Sequence, residues 1–325
     1  MRLLSFFLFA AALASAASPA AAGPILDRIK TAGVVRCGGV ARPGLVDIAP
    51  DGRAQGLELD LCRAIASVVL GSNGRLEFTN YDSEKAFAAA RTGHEDVMFL
   101  TGREMVENGL AGSVIPGPAI FVETTSVIVR QDAPYRHLEE LAGKPICFAL
   151  GPHAQFHLHS WFAARHLEFQ PMGFQEDVEM NDAYKVRYCQ GLAGETTTLA
   201  ETAHSPEMGK VQHRFLPETL AAYPILAASA TRDGEWAAIV AWTLSTLRRA
   251  DAPDSEWTRG GFESMPVEAP ALGLGKGWQK KLVSLMGSYQ QLFDKNLGVK
   301  SEFGLAPGFN RPAMEGGAFT PPYVD

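Results

Sequence analysis

The stretch "GLELDLCRAIASVV", residues 56 to 69, decides the fold. Its apolar residues recur at helical spacing, and Glu58 and Asp60 fall in the first turn, where a carboxylate favours the positive end of the helix dipole. On either side the pattern changes. "GVVRCGGV" upstream, and "HEDVMFL" and "TTSVIVR" downstream, are short runs of the kind that form strands. Alternation of this kind predicts an α/β fold with a mostly parallel sheet covered by helices. About 300 residues after a leader exceed one typical core, so two lobes are expected. No internal repeat interrupts the pattern, and no low-complexity segment beyond the N-terminal one.

"MRLLSFFLFAAALASAASPAAAG" opens the chain with one charge, Arg2, then an apolar run and a small-residue exit. This is the composition of a secretory signal, so residues 1–22 are expected to be cleaved, leaving a soluble exported chain from near Gly23. The first cysteine is Cys37, too far along for a lipid-anchored start. No later run is long and apolar enough to span a bilayer, so membrane insertion is not expected. Cleavage would remove Arg2 and no acid, making the chain one unit more negative than the −7 of the full sequence. A mildly acidic surface without a basic cluster argues against nucleic acid and anionic membranes as partners. Four cysteines in an exported chain predict two disulfides, with three connectivities open. None forms a close pair such as C-x-x-C, which disfavours zinc or redox use.

Helix 56 to 69 also resembles the signature of the family 3 extracellular solute-binding proteins, the periplasmic receptors of polar amino-acid ABC importers. Gly56, Leu57, Glu58, Leu59, Asp60, Leu61, Ile65 and Ala66 carry that likeness. "LDRIKTAGVVRCGG", "SYQQLFDKNLG" and "GFNRPAMEGGAFTPP" resemble the corresponding parts of the broad-specificity L-amino-acid-binding subgroup, as do the four cysteine positions. The resemblance implies a two-lobed clamp of the type II periplasmic-binding-protein fold, with ligand in the cleft. It implies crossings near Ser126 to Val129 and Ala222 to Ala228. Lobe 1 would then combine 24–126 with 228–325, including a C-terminal extension, and lobe 2 would be 127–227. It further implies the pairs Cys37 with Cys62 and Cys147 with Cys189, each inside one lobe, leaving the hinge free.

The chain departs from the family where the ligand should sit. The family holds the ligand carboxylate with an arginine in a segment reading Thr-Trp-Thr-x-x-Arg-Asp; here that segment is "REMVENG", and Asn108 falls at the arginine. An amide cannot offer the paired, charged fork of a guanidinium. Arg103, five residues away, is the available substitute. Glu104 stands where an aromatic packs on ligand, and Leu45 in "ARPGL" stands at a second aromatic position. In lobe 2 the family's Thr-Gly-Thr-Thr turn reads "LGPHA", so Leu150, Pro152 and His153 remove hydroxyls, and the proline removes an amide donor. Glu195 in "AGETTTL" retains the ammonium-binding carboxylate, one methylene longer. The ligand set implied is therefore Glu195, Arg103, Asn108, His153, Glu104 and Leu45, for a ligand that is not a standard α-amino acid.

His153 and His157 share a helix face, but no partner of metal-ligand spacing accompanies them, so neither metal nor cofactor is expected. The scattered methionines are core fillers. Three functions remain open at this level. The first is a receptor partnered by an ABC permease. The second is a non-transport accessory that binds a periplasmic enzyme such as a quinoprotein dehydrogenase. The third is an enzyme, for which Glu104, Glu107, Glu195 and His153 are the available acids and bases, with no motif behind them. The receptor reading leads, and no enzyme is expected.

Overall fold

The computed structural model describes residues 23–72, 74–108, 114–151, 154–230, 233–251 and 272–320. The expected signal, residues 1–22, lies outside the described residues. The first half-chain contains α1 (Pro24–Ala32), β1 (Val34–Gly39), β2 (Asp47–Ile48), β3 (Ala54–Gln55), α2 (Leu57–Leu70), β4 (Arg75–Asn80), α3 (Ser83–Thr92), β5 (Val97–Thr101), α4 (Gly102–Glu107), β6 (Val114–Ile115) and β7 (Ala119–Arg130). There follow β8 (Pro145–Ala149), α5 (Ala154–Ala163), β9 (Gln170–Phe174), α6 (Asp177–Lys185), β10 (Gly191–Glu195), α7 (Thr196–His204), β11 (His213–Phe215) and β12 (Ala221–Ala230). The chain then forms α8 (Gly234–Arg249), α9 (Trp278–Met286) and α10 (Tyr289–Asn296).

The main sheet runs β4-β1-β5-β12-β7-β10-β8-β9. Its two flanks are parallel: β4, β1 and β5 on one side, and β10, β8 and β9 on the other. Between them, β12 runs antiparallel to its neighbours β5 and β7, and β7 runs antiparallel to β10. The expected parallel sheet is thus two parallel halves joined through an antiparallel pair. The lobe divisions drawn from the sequence, 126/127 and 227/228, fall inside β7 and β12.

Each half has its own core. One gathers Leu57, Leu61, Ile65, Phe99, Trp236, Phe293 and their neighbours; the other gathers Val127, Ile146, Phe148, Leu158 and Phe162. Helix α2 forms as its sequence predicts, burying Leu57, Leu61, Ala64 and Ile65 along one stripe. Gly56 precedes it at φ 125, where a Cβ would stand 2.2 Å from the Leu45 carbonyl oxygen. Only glycine fits that approach. Cys37–Cys62 fastens β1 to α2, and Cys147–Cys189 fastens β8 to the entry of β10, the two pairs implied by the resemblance. The C-terminal extension closes over β7: the Asn310 side chain accepts from the Val122 amide (2.6 Å) and donates to the Val122 carbonyl (3.0 Å).

Candidate ligand-binding cleft

The carboxyl ends of the parallel strands β5 and β10 point into the space between the halves, the usual place for a ligand in sheets of this kind. A cavity of about 600 Å³ opens there. One wall carries Arg42, Ser83, Thr101, Arg103, Glu104 and Glu107; the other carries Phe156, His157, Glu195, Ala221, Ala222 and Tyr223. Its volume lies within the range of small-molecule sites, roughly 300–1,000 Å³.

The first wall is organised by Glu104. Thr101 ends β5 and caps α4, its hydroxyl accepting from the Glu104 amide at 3.1 Å, while the Glu104 carboxylate accepts from the Thr101 amide at 2.7 Å. The other Glu104 oxygen accepts from the Ser83 hydroxyl (2.8 Å) and from the Arg42 guanidinium (3.3 Å). Arg42 comes from the turn after β1 and is largely enclosed, with its side chain 13% exposed. Behind it lies Glu58, fully buried, whose two oxygens have no hydrogen-bond partner among the described residues. Glu58 occupies space left by Gly39, where a Cβ would meet its carboxylate at 2.1 Å. Burial pushes Glu58 up to about 8; Arg42 draws it down and Glu104 raises it. Arg103 pairs with Glu107 one turn along α4, at 2.5 Å.

The second wall is organised by another buried glutamate. Glu123 on β7 accepts from the Thr197 hydroxyl (2.6 Å), from the Thr124 amide (2.9 Å) and from the Thr196 amide (3.1 Å), so it holds the first turn of α7. The Thr196 hydroxyl contacts those of Thr124 (2.6 Å) and Ser126 (2.7 Å). These contacts fix the end of β10, where Glu195 accepts a short hydrogen bond from the Tyr223 hydroxyl. Burial first, then the charges of Glu195 and Glu123, raise the Tyr223 phenol well above its ordinary range. Desolvation likewise pushes Glu123 up to about 7, against the Thr197 hydrogen bond and with Glu195 adding to the rise.

Of the residues expected from the sequence, Arg103, Glu104 and Glu195 meet at the cavity. Asn108 does not line it: it is the exposed C-cap of α4, and its side chain donates to the Glu104 carbonyl at 2.7 Å. Leu45 is 0% exposed in the core beneath the cleft, so it presents no surface to a ligand. This corrects its placement on the wall, and the reason is packing against the Gly56 approach. His153 lies outside the described residues, as does Pro152. No group of three or more histidine, cysteine or acidic residues suited to a metal occurs among the described residues. Sequence reading missed Arg42, Ser83, Thr101, Phe156 and Tyr223. Arg42 stands in the same "ARPGL" stretch quoted for Leu45.

The architecture and cleft are those of the two-lobed periplasmic binding proteins. A Brucella ovis ABC transporter periplasmic binding protein, solved with glutathione bound, superposes with a TM-score of 0.69 at 23% identity, over 90% of this chain and 96% of that one. An ancestral cationic amino acid solute-binding protein gives 0.55 at 16% identity, over 84% and 99%. In sequence, the chain is 28% identical to a general L-amino acid-binding periplasmic protein of Rhizobium johnstonii, over 99% of this chain and 98% of the relative. It is 25% identical to a glutamate/glutamine/aspartate/asparagine-binding protein of Rhodobacter capsulatus, over 98% and 99%. A third relative, a putative amino-acid ABC transporter-binding protein of Escherichia coli, is 24% identical over 96% of this chain and 96% of the relative. No protein-family model matches the chain.

Proposed function

We propose that the chain is a periplasmic solute receptor of an ABC importer whose ligand is not a standard α-amino acid. Full-length similarity to amino-acid-binding proteins supports the receptor part. The observation that carries the finer part is Asn108: the position matching the family's carboxylate arginine holds an amide, bonded to its own helix and outside the cavity. Residues 1–22 act as the export signal on this reading. The lobes are 24–126 with 228–325, and 127–227, which the two separate cores favour. A permease is the expected partner.

Calorimetry with glutamate, glutamine, aspartate, histidine, arginine and leucine tests the reading. Loss of a charge-assisted bond weakens binding at least tenfold or so, and no submicromolar affinity is expected among the six. Submicromolar binding of any of them overturns the altered specificity. Silence across a wide solute panel favours instead the accessory role beside a periplasmic enzyme.

A further inference from the structure

Pairing the charges that line the cavity leaves an imbalance. Arg42 faces Glu104 at 3.3 Å, and Arg103 faces Glu107 at 2.5 Å. Glu195 forms no ion pair among the described residues, and it accepts its hydrogen bond from the phenol of Tyr223, a neutral donor. Among the described residues three carboxylates therefore meet two guanidiniums, with the imidazole of His157 the remaining titratable ring on the wall. Resting on the receptor reading above, we infer that the cleft takes a small organic amine without a carboxylate, its ammonium bound by Glu195 and its carbon body covered by Phe156.

Each part of this has a physical reason. An ammonium entering beside Glu195 supplies the opposite charge that a desolvated carboxylate requires, and closure of the clamp would otherwise bury that carboxylate against a neutral phenol. A ligand carboxylate meets the reverse situation on the first wall. At the Arg42 guanidinium, whose Nη1 has no hydrogen-bond partner among the described residues, it competes with Glu104, which is 6% exposed and held in addition by the Thr101 amide and the Ser83 hydroxyl. Displacement would also undo the capping box of α4. Glu58 is a second carboxyl close enough for its charge to feel that of Arg42; protonated, it is neutral, and ionised, it makes the wall more acidic still. Phe156 is 63% exposed on the cavity wall, an aromatic face that suits the apolar body or the charged end of an amine.

Matched pairs of an α-amino acid and its decarboxylated amine provide the test: histidine with histamine, tyrosine with tyramine, serine with ethanolamine, each titrated into the exported chain by calorimetry. In at least one pair the amine binds about tenfold or more tightly than the acid. Glu195→Gln, nearly isosteric, then loses about tenfold or more of amine affinity with Tm unchanged, since it removes the charge and keeps the shape. Arg103→Ala, which removes a like charge from the wall, tightens amine binding. An acid binding more tightly than its amine, with Arg103→Ala abolishing it, overturns the inference and leaves the receptor reading standing. So does tight binding of an uncharged or anionic solute, such as a sugar, a dicarboxylate or glutathione. If nothing binds in either the pairs or that wider set, the receptor reading itself fails and the inference with it.

Discussion

Glu58 and Glu123 are each 0% exposed, one behind each wall of the cleft, and they solve burial in opposite ways. Glu123 is surrounded by donors from Thr124, Thr196 and Thr197, so its carboxylate organises a helix start and, through it, Glu195. The Glu58 carboxyl has no hydrogen bond among the described residues and answers burial by holding its proton, pushed up to about 8. A satisfied buried carboxylate builds structure, whereas an unsatisfied one stores a charge change. The two walls inherit this difference. The first is closed on itself through Arg42 and Glu104, and the second presents Glu195 to the cleft.

The harshest way to break the comparison is Glu104→Ala. It removes the Glu104 half of the α4 capping box and leaves the Arg42 guanidinium, 13% exposed, without its ion-pair partner. Breaking a buried pair costs about 3 to 5 kcal/mol, so thermal unfolding should move down by roughly 10 °C. A shift within one or two degrees would mean that the first wall is not held by this pair. Glu123→Ala comes next. It strips the Thr196 and Thr197 amides and the Thr197 hydroxyl of their acceptor, at about 2 to 3 kcal/mol. Affinity for any ligand bound through Glu195 should fall with it, because the turn that aims Glu195 loosens. Unchanged affinity in a folded Glu123→Ala protein would separate the two glutamates of that wall.

The pH dependence of stability sharpens the contrast. Both buried glutamates titrate above the usual 4.5, Glu123 at about 7 and Glu58 at about 8, so between those limits the folded chain binds more protons than the unfolded one. Stability therefore falls as pH rises from about 5 to 8, contributing its full share only below the unfolded value. Glu58→Gln removes the upper part of this slope. The variant should lose less Tm than the parent between pH 7 and 8.5, and an identical slope in the two proteins would place the titration elsewhere.

How much of this was legible depends on whether a residue acts along the chain or across it. Helix α2, the strands beside it and the disulfide partners follow local pattern and family likeness, and they fold accordingly. Glu195 was named from the family likeness alone, and the fold sets it on the cavity wall at a strand end before a helix. Arg42 was not, because its meaning comes from Glu104, sixty-two residues away in sequence. Glu104 looked like a lost aromatic, yet Thr101 three residues earlier makes it a capping partner, a spacing the sequence does display. Leu45 fell on the wrong side of its turn because a single close approach, Gly56 against the Leu45 carbonyl, sets which way that turn packs. Glu58 carried the signature of a dipole-stabilising first-turn acid, as did Asp60; both are buried, and only tertiary partners separate them, since Arg63, Lys295 and Asn296 engage Asp60.

The gentlest test concerns Asn108, where the sequence placed the ligand and the structure places a helix cap. Among the described residues its side chain makes one hydrogen bond, to the Glu104 carbonyl at 2.7 Å, at an exposed position. Asn108→Ala should therefore cost about 0.5 to 1 kcal/mol of stability and leave ligand affinity within about twofold, since no contact with the cavity is lost. Asn108→Arg restores the residue type that the family uses at this point. If the end of α4 faces away from the cleft, the new guanidinium gains nothing for an α-amino acid, and calorimetry with glutamate or histidine reads the same as for the parent. Submicromolar binding of either amino acid by Asn108→Arg would show that position 108 reaches the cleft after all. The first wall would then be open to a carboxylate rather than closed on Arg42 and Glu104, and the difference between the two walls would reduce to a single side chain.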